Sequence, residues 1–337
     1  MSDSAWRALH LLLDLTTPWA IRVVATLRIP DLIASGVTRL EVLAERCSAD
    51  VETLGRVMSY LAARGIFEEP EPGSFTLTSV GRLLQEEAGV RAWLDQDGFG
   101  GRMDLAWPAL LEAVRTGKPC YDNTFGVSVW EDIQANPRIA ESFNALMAAQ
   151  SESLWPELLE AYDWSCVREV VDVGGGSGTI SAAIARAHPH LQATVLELPP
   201  AARAAAERFA REGLAGRCRA QSGSMFDPLP EGADVYLLSI VIGDWTDAKA
   251  VAVLRRCAEA AGVSGRVLIV EAVLEDDPAA SGAMDLVMLV VSEGRSRTVE
   301  QFRALVSAAG LELVRTYRIP SGRCVLECAA AKPEERR

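Results

Sequence analysis

Apolar positions along this chain follow two rhythms, first that of helices and later that of a sheet. From Ala5 to Ile33 the spacing is helical, with Leu11, Leu12 and Leu15 followed by Trp19, Ile21, Val24 and Leu27. Such a face is too apolar for a lone surface helix and predicts burial, in the core or against a second copy of the chain. From Gly36 to Leu84 the pattern is shorter. Thr38 is placed to cap a helix carrying Leu40, Val42 and Leu43, and Asp50 to cap one whose Leu54, Val57, Met58 and Leu61 share a face. Gly65 ends that helix, and Ile66-Phe67-Glu68-Glu69, a Pro72-Gly73 turn and Phe75-Thr76-Leu77 predict a hairpin. Two helices and a hairpin make a winged helix. Asp97 to Leu158 then predicts a helical connector. Gly98, Gly100 and Gly101 mark a loop in it, Trp107, Leu110, Leu111 and Val114 form a stripe, and Asn136-Pro137 is a break before Phe143, Asn144 and Met147.

From Glu169 the rhythm changes to short apolar runs alternating with helical patterns. Strands are predicted near 169–173, 193–197, 216–221, 234–240 and 266–272, with helices over Ala201 to Glu212 and Asp247 to Ala261 between them. Glu312 to Ile319 and Arg323 to Cys328 flank a Pro-Ser-Gly turn and predict an antiparallel pair. The fold class is therefore α/β: a doubly wound, Rossmann-like sheet with terminal antiparallel strands, preceded by an α-helical winged-helix domain.

The first predicted strand leads into the densest glycine cluster of the chain. After Val170 to Val173 come Gly174, Gly175, Gly176 and Gly178, and a helical pattern begins at Ile180. Strand, glycine loop and helix form a nucleotide-binding turn, in which a ligand lies against backbone without meeting a Cβ. The dinucleotide spacing G-x-G-x-x-G/A fails because Thr179 occupies the third slot. The spacing acid-x-G-x-G-x-G is met by Asp172, Gly174, Gly176 and Gly178. The second strand ends in Glu197, placed to accept both hydrogen bonds of a ribose diol. No Gly-Lys-Ser/Thr follows the glycines, which excludes a triphosphate loop.

Composition narrows the partners. A length of 337 residues suggests two domains or one with an appendage. A net charge of −13 repels phosphate backbones, and the second winged-helix helix carries Asp50 and Glu52 against only Arg56 and Arg64. No nucleic-acid partner is expected. No apolar run reaches ~18 residues, so no membrane span is expected, and Met1-Ser-Asp-Ser lacks the basic start of a signal peptide. Seven cysteines without a C-x-x-C predict reduced thiols and a cytoplasmic location. His10, His188 and His190 are the only histidines, too few and too scattered for a metal site.

Five further segments follow the glycine loop in order: Gly223–Pro230, Leu238–Trp245, Leu254–Cys257, Gly265–Glu271 and Gly294–Thr298. With the glycine loop they resemble the class I S-adenosylmethionine (SAM) small-molecule O-methyltransferases, typified by caffeate O-methyltransferase and its bacterial antibiotic-tailoring homologues. The resemblance spans nearly the whole chain. It implies a domain order of 1–95 for winged-helix homodimerisation, 96–160 for a connector lining the substrate pocket, 161–332 for SAM binding, and a charged tail over 333–337. It implies SAM as cofactor and S-adenosylhomocysteine as product. Gly174 and Gly176 would meet the methionyl part and Glu197 the ribose. Ser224, Met225 and Phe226 would flank adenine, with Ser239 near the amino-acid end, and Asp172 and Trp245 would also bind the cofactor. Phe143, Asn144, Met147, Gly243, Met284, Val287 and Met288 would line the acceptor pocket.

The catalytic positions depart from the family. Its His-Asp-Trp, whose histidine is the general base, reads Gly243-Asp244-Trp245 here. Of the two carboxylates that support that histidine, one is kept as Glu271 and the other has become Ser296. Glu271 and Asp244 remain as candidate catalytic groups, although Glu271 also suits a strand cap or an arginine partner. A positioned base is worth ~10²–10⁴ in rate, whereas alignment alone reaches effective molarities of ~10⁵–10⁸ M. Three readings stay open: methyl transfer by proximity to an acceptor that is acidic already or is an amine; hydroxylation, decarboxylation or pericyclic chemistry with SAM retained; and a non-catalytic SAM-binding regulator.

Overall fold

The computed structural model of the chain describes residues 3–274 and 278–331. The charged tail expected to fray lies outside these residues. Two compact units are present, Met1–Leu105 and Ala106–Arg337.

The first unit opens with helices Asp3–Leu12, Thr16–Thr26 and Ile29–Ala34 where one helical run was expected. The first break falls at Asp14, whose carboxylate accepts the Thr16 and Thr17 N–H groups at 2.9 and 3.1 Å. The second falls at Arg28, with φ +56°. The stretch Ala8–Thr26 is long and apolar enough, by length and composition, to cross a membrane. The stretch is not an unbroken apolar run, since it carries His10, Asp14 and Arg22 and is divided at Asp14. Trp6, Leu9, Leu11, Leu12, Leu15 and Trp19 are exposed in the single chain.

Helices Leu40–Cys47 and Val51–Ala63 and the hairpin strands β1 (Phe67–Glu71) and β2 (Ser74–Leu77) follow. Asp50 caps as expected, accepting the Thr53 N–H at 2.8 Å. Thr38 does not. Arg39 precedes the helix in extended conformation with no capping side chain. The Thr38 carbonyl instead takes the Phe75 N–H at 2.9 Å, and Arg39 forms an isolated antiparallel bridge with Ser74, so this segment is tied to the edge of the hairpin. Gly100 and Gly101, expected in a loop, lie within helix Phe99–Ala106. A Cβ at either would stand 2.5 Å from Trp93 O or 2.1 Å from Gln96 O, so their role is close packing of helix on backbone.

In the second unit the connector is a series of short helices ending in the long helix Pro137–Ala161. Asn136 is extended and Pro137 starts the helix, as the sequence break implied. The Trp107 to Val114 stripe is split between a 3₁₀ turn and helix Leu110–Thr116, and its Leu111 and Val114 are exposed.

The sheet contains β3 (Glu169–Val173), β4 (Gln192–Glu197), β5 (Cys218–Ser222), β6 (Val235–Ser239), β7 (Arg266–Ala272), β8 (Leu311–Arg318) and β9 (Arg323–Ala330). Their spatial order is β5-β4-β3-β6-β7-β9-β8. The first five are mutually parallel, while β9 runs antiparallel to both β7 and β8. Buried runs such as Val170, Val171, Val173 and Leu237, Leu238 have helices on both faces. That explains their continuous rather than alternating apolar pattern. The order reverses between β3 and β6. Outside the carboxyl ends of those two strands is the crevice where doubly wound sheets bind ligands.

Candidate active site

The crevice is a cavity of about 310 Å³. The loop after β3 forms one wall. Gly176 has φ +56° and a Cβ there would meet nothing within 4 Å, so it offers bare backbone to the cavity. At Gly175 a Cβ would stand 2.4 Å from Asp172 Cγ, which only glycine tolerates. Asp172 is buried, and Ser181 Oγ donates to its Oδ2 at 2.7 Å. Burial pushes the Asp172 carboxyl up to about 6; the Ser181 bond opposes this and the Glu197 carboxylate adds to it. Burial also raises Glu197, against the N–H groups of Leu198 and Gly176.

Three buried polar atoms on this cavity have no partner among the described residues: Asp172 Oδ1, Ser239 Oγ and Trp245 Nε1. An unpaired buried polar group costs ~1–3 kcal/mol, so three of them around one cavity are complementary to a ligand with its own donors and acceptors. Ile240, next to Ser239, also lines the cavity with φ +56°. For a β-branched residue that conformation stores ~1–3 kcal/mol. It turns the chain at the cavity edge while the Ile240 N–H reaches Val270 O at 2.9 Å.

The opposite wall is aromatic. Trp245 is stacked by Trp130 (5.3 Å between ring centroids, 26° between planes) and met edge-on by Phe226 at 5.1 Å. Phe143 meets Trp130 edge-on at 6.0 Å. Ser128 and Glu131 form a capping box at the start of helix Val129–Ala135, which carries Trp130.

Residues Ile242–Asp244 form a 3₁₀ turn between these walls. The Gly243 N–H donates to Glu271 Oε1 at 2.9 Å. Arg297, fully buried, clasps the turn from outside: Nη1 donates to Ile242 O at 3.0 Å and Nη2 to Trp245 O at 2.6 Å. Its Nε and Nη2 also reach Asp247 Oδ1 at 3.1 and 2.9 Å. Gly294 is fixed here as well, since a Cβ would stand 2.1 Å from Gly243 O. Burial, with the Glu271 carboxylate second, pushes Asp244 up to about 8. Glu271 is raised by burial, while the N–H groups of Gly243 and Val241 and the Arg323 and Arg297 guanidiniums pull the other way.

Every residue expected around the cofactor lines this cavity: Asp172, Gly174, Gly176, Glu197, Ser224, Met225, Phe226, Ser239 and Trp245. Phe143, Asn144 and Met147 line it too, as does Asp244. Gly243, Glu271, Met284, Val287 and Met288 do not. A side chain at Gly243 would point at Glu271, which is itself buried. Helix Pro278–Val291, carrying the other three, packs on helices Leu110–Thr116 and Cys120–Phe125. Ser296, where the family has its second acid, takes Asp285 Oδ1 on its N–H at 2.6 Å. The sequence reading missed Trp130 and Arg297. Ser128-x-x-Glu131 signals the helix start that sets Trp130, but nothing local reveals that Arg297 is buried.

A glycine-walled cavity with a carboxylate at the switch point of a doubly wound sheet, facing an aromatic wall, has the form of a nucleoside-cofactor site. The chain belongs to the O-methyltransferase family, whose O-methyltransferase domain matches residues 107–312 and whose dimerisation domain matches residues 9–87. It is 44% identical to a 2,7-dihydroxy-5-methyl-1-naphthoate 7-O-methyltransferase of Streptomyces carzinostaticus, over 93% of this chain and 96% of that one. It is 40% identical to aclacinomycin 10-hydroxylase RdmB of Streptomyces purpurascens, over 95% of this chain and 89% of that one. Among solved structures, NcsB1 from neocarzinostatin biosynthesis is 42% identical with a TM-score of 0.89, over 96% of this chain and 98% of that one. That enzyme was crystallised with SAM and 2-hydroxy-5-methyl naphthoic acid.

Proposed function

We propose that this protein is a SAM-dependent methyltransferase acting on a small aromatic natural-product intermediate, and that it aligns acceptor and methyl group without a histidine base. The observation carrying this is one cavity that joins a glycine cradle, Glu197 and three unpaired buried polar atoms to an aromatic wall, with no histidine lining it. SAM bound there would supply an electrophilic methyl group on sulfur. Gly174 and Gly176 would take its methionyl part, Glu197 its ribose and Phe226 and Trp245 its adenine. Phe143, Asn144, Met147 and Trp130 would hold a flat acceptor and keep water from it. The exposed apolar face of the N-terminal helices, within the matched dimerisation domain, is the surface a second copy would cover. The seven cysteines form no disulfide with one another, and a cytoplasmic location belongs to the same proposal.

A second reading is favoured by the 40% identity to a protein named as a hydroxylase. Here SAM would be retained and its charge used to stabilise a developing anion. Methyl-labelled SAM with candidate acceptors separates the two. Methyl transfer gives S-adenosylhomocysteine in step with labelled product. Product formed without that by-product, yet dependent on SAM, sinks the first reading in favour of the second.

SAM affinity should depend on pH in a stated direction. The cavity carboxyl Asp172 sits at about 6, and its ionised form attracts a cation. Calorimetry should therefore find binding about tenfold tighter at pH 7 than at pH 5, with protons released on binding. An affinity independent of pH over that range would remove Asp172 from the cradle.

A further inference from the structure

We propose that Asp244 takes the proton of the acceptor hydroxyl, acting from the residue beside the missing imidazole, and that Glu271 is a positioning residue only. The inference rests on the methyl-transfer reading. Of the two carboxyls at the turn, only Asp244 lines the cavity. Glu271 is 7% exposed and off the cavity, and it is engaged by the N–H groups of Gly243 and Val241. The Asp244 carboxyl accepts no hydrogen bond from any described residue, so its lone pairs are open toward an acceptor.

The turn that carries Asp244 is held rigidly. Arg297 spans the carbonyls on either side of it, and the Arg295 N–H donates to Gly243 O at 2.9 Å. The surrounding charges are spoken for. Arg295 and Arg297, from the loop after helix Pro278–Val291, both pair with Asp247 of helix Asp247–Ala261. Lys249 pairs with Glu293. Arg323 of β9 acts on Glu271. That leaves Glu271 of β7 as the charge acting on Asp244, and it opposes ionisation.

The consequence suits proton transfer. An ordinary aspartate, near ~4, faces a phenol near ~10 across ~6 pK units. Held at about 8, Asp244 faces it across roughly two. The uphill factor then falls from ~10⁶ to ~10². The step balances as follows. The acceptor O–H bond breaks and its proton passes to Asp244 Oδ, while the electron pair stays on oxygen. That oxygen bonds the methyl carbon as the carbon–sulfur bond breaks, and the released pair stays on sulfur. A carboxylate and a sulfonium become a neutral acid and a thioether.

The test uses Asp244→Asn and Glu271→Gln in the full chain, with SAM and 1,4-dihydroxy-2-naphthoic acid, a ligand found in a solved relative. In the wild type kcat/KM should rise about tenfold per pH unit up to about 8 and then level off. Asp244→Asn should lose ~10²-fold or more together with that rise. Glu271→Gln removes the opposing charge, so the rise should move to lower pH, which a merely structural Glu271 would not cause. A readout without cofactor accompanies these. Asp244, raised on folding, contributes stability that is complete below pH ~4 and lost as pH climbs to about 8. Asp244→Asn should flatten the fall in thermal stability between pH 6 and 8. An Asp244→Asn enzyme within threefold of wild type with the same pH profile overturns the assignment, as does a pH–stability curve parallel to wild type. Should the wild type form no S-adenosylhomocysteine, the methyl-transfer reading falls, and the stability curves still decide whether Asp244 titrates.

Discussion

Gly243→His should raise methylation of ordinary phenols about 10²-fold at neutral pH, within the ~10²–10⁴ range of a positioned base. The backbone accepts the change, since Gly243 is not among the residues with positive φ. A Cβ at this position would stand 3.3 Å from Glu271 Oε2 and 3.5 Å from Oε1. The carboxylate must yield by a few tenths of an ångström, and it then lies beside the ring as the group that orients it. Because Ser296 replaces the second supporting acid, the lower end of that range is expected. Rates with a simple naphthol and with an acidic hydroxyquinone separate the contributions. The naphthol gains and the hydroxyquinone, ionised beforehand, does not. An equal response from both, or none from either, would mean that the turn does not face the reacting oxygen.

The parts of the fold that were legible in the sequence are those where one physical constraint dominates. Val170, Val171 and Val173, interrupted by Asp172, and Tyr236 to Leu238 are buried and read as short apolar runs without alternation. The acid-x-G-x-G-x-G spacing marked a wall of the cavity, because positive φ at Gly174, Gly176 and Gly178 and the crowding of Gly175 by Asp172 demand glycine together. Elsewhere a residue type had two explanations and tertiary contact chose between them. Gly100 and Gly101 look like loop residues, yet they sit in a helix pressed on the backbone of Trp93 and Gln96. Thr38 looks like a cap, yet its carbonyl is committed to Phe75. Met284, Val287 and Met288 have the composition of a pocket wall but are not among the residues lining this cavity. Nor could spacing show that Asp244 rather than Glu271 faces the cavity, since the two are 27 residues apart and meet only through the pairing of β6 with β7.

Arg297→Met should destabilise the protein by about 2–6 kcal/mol. Methionine fills much of the volume but leaves the carbonyls of Ile242 and Trp245 buried without donors, at ~1–3 kcal/mol each. Asp247 is 49% exposed and recovers water, so the loss comes from the turn rather than from a stranded charge. Arg297→Lys should recover little, because one ammonium cannot span two carbonyls and a carboxylate in a plane. Chemical denaturation gives the magnitude, and function gives the location. The glycine loop, Asp172 and Glu197 keep their partners when the clasp is lost and only Trp245 loses one, so SAM uptake should weaken modestly while acceptor turnover collapses. SAM uptake lost in proportion to turnover would assign the Gly243-Asp244 turn to the cofactor cradle, and the division of this cavity into a cradle and an acceptor wall would have to be redrawn.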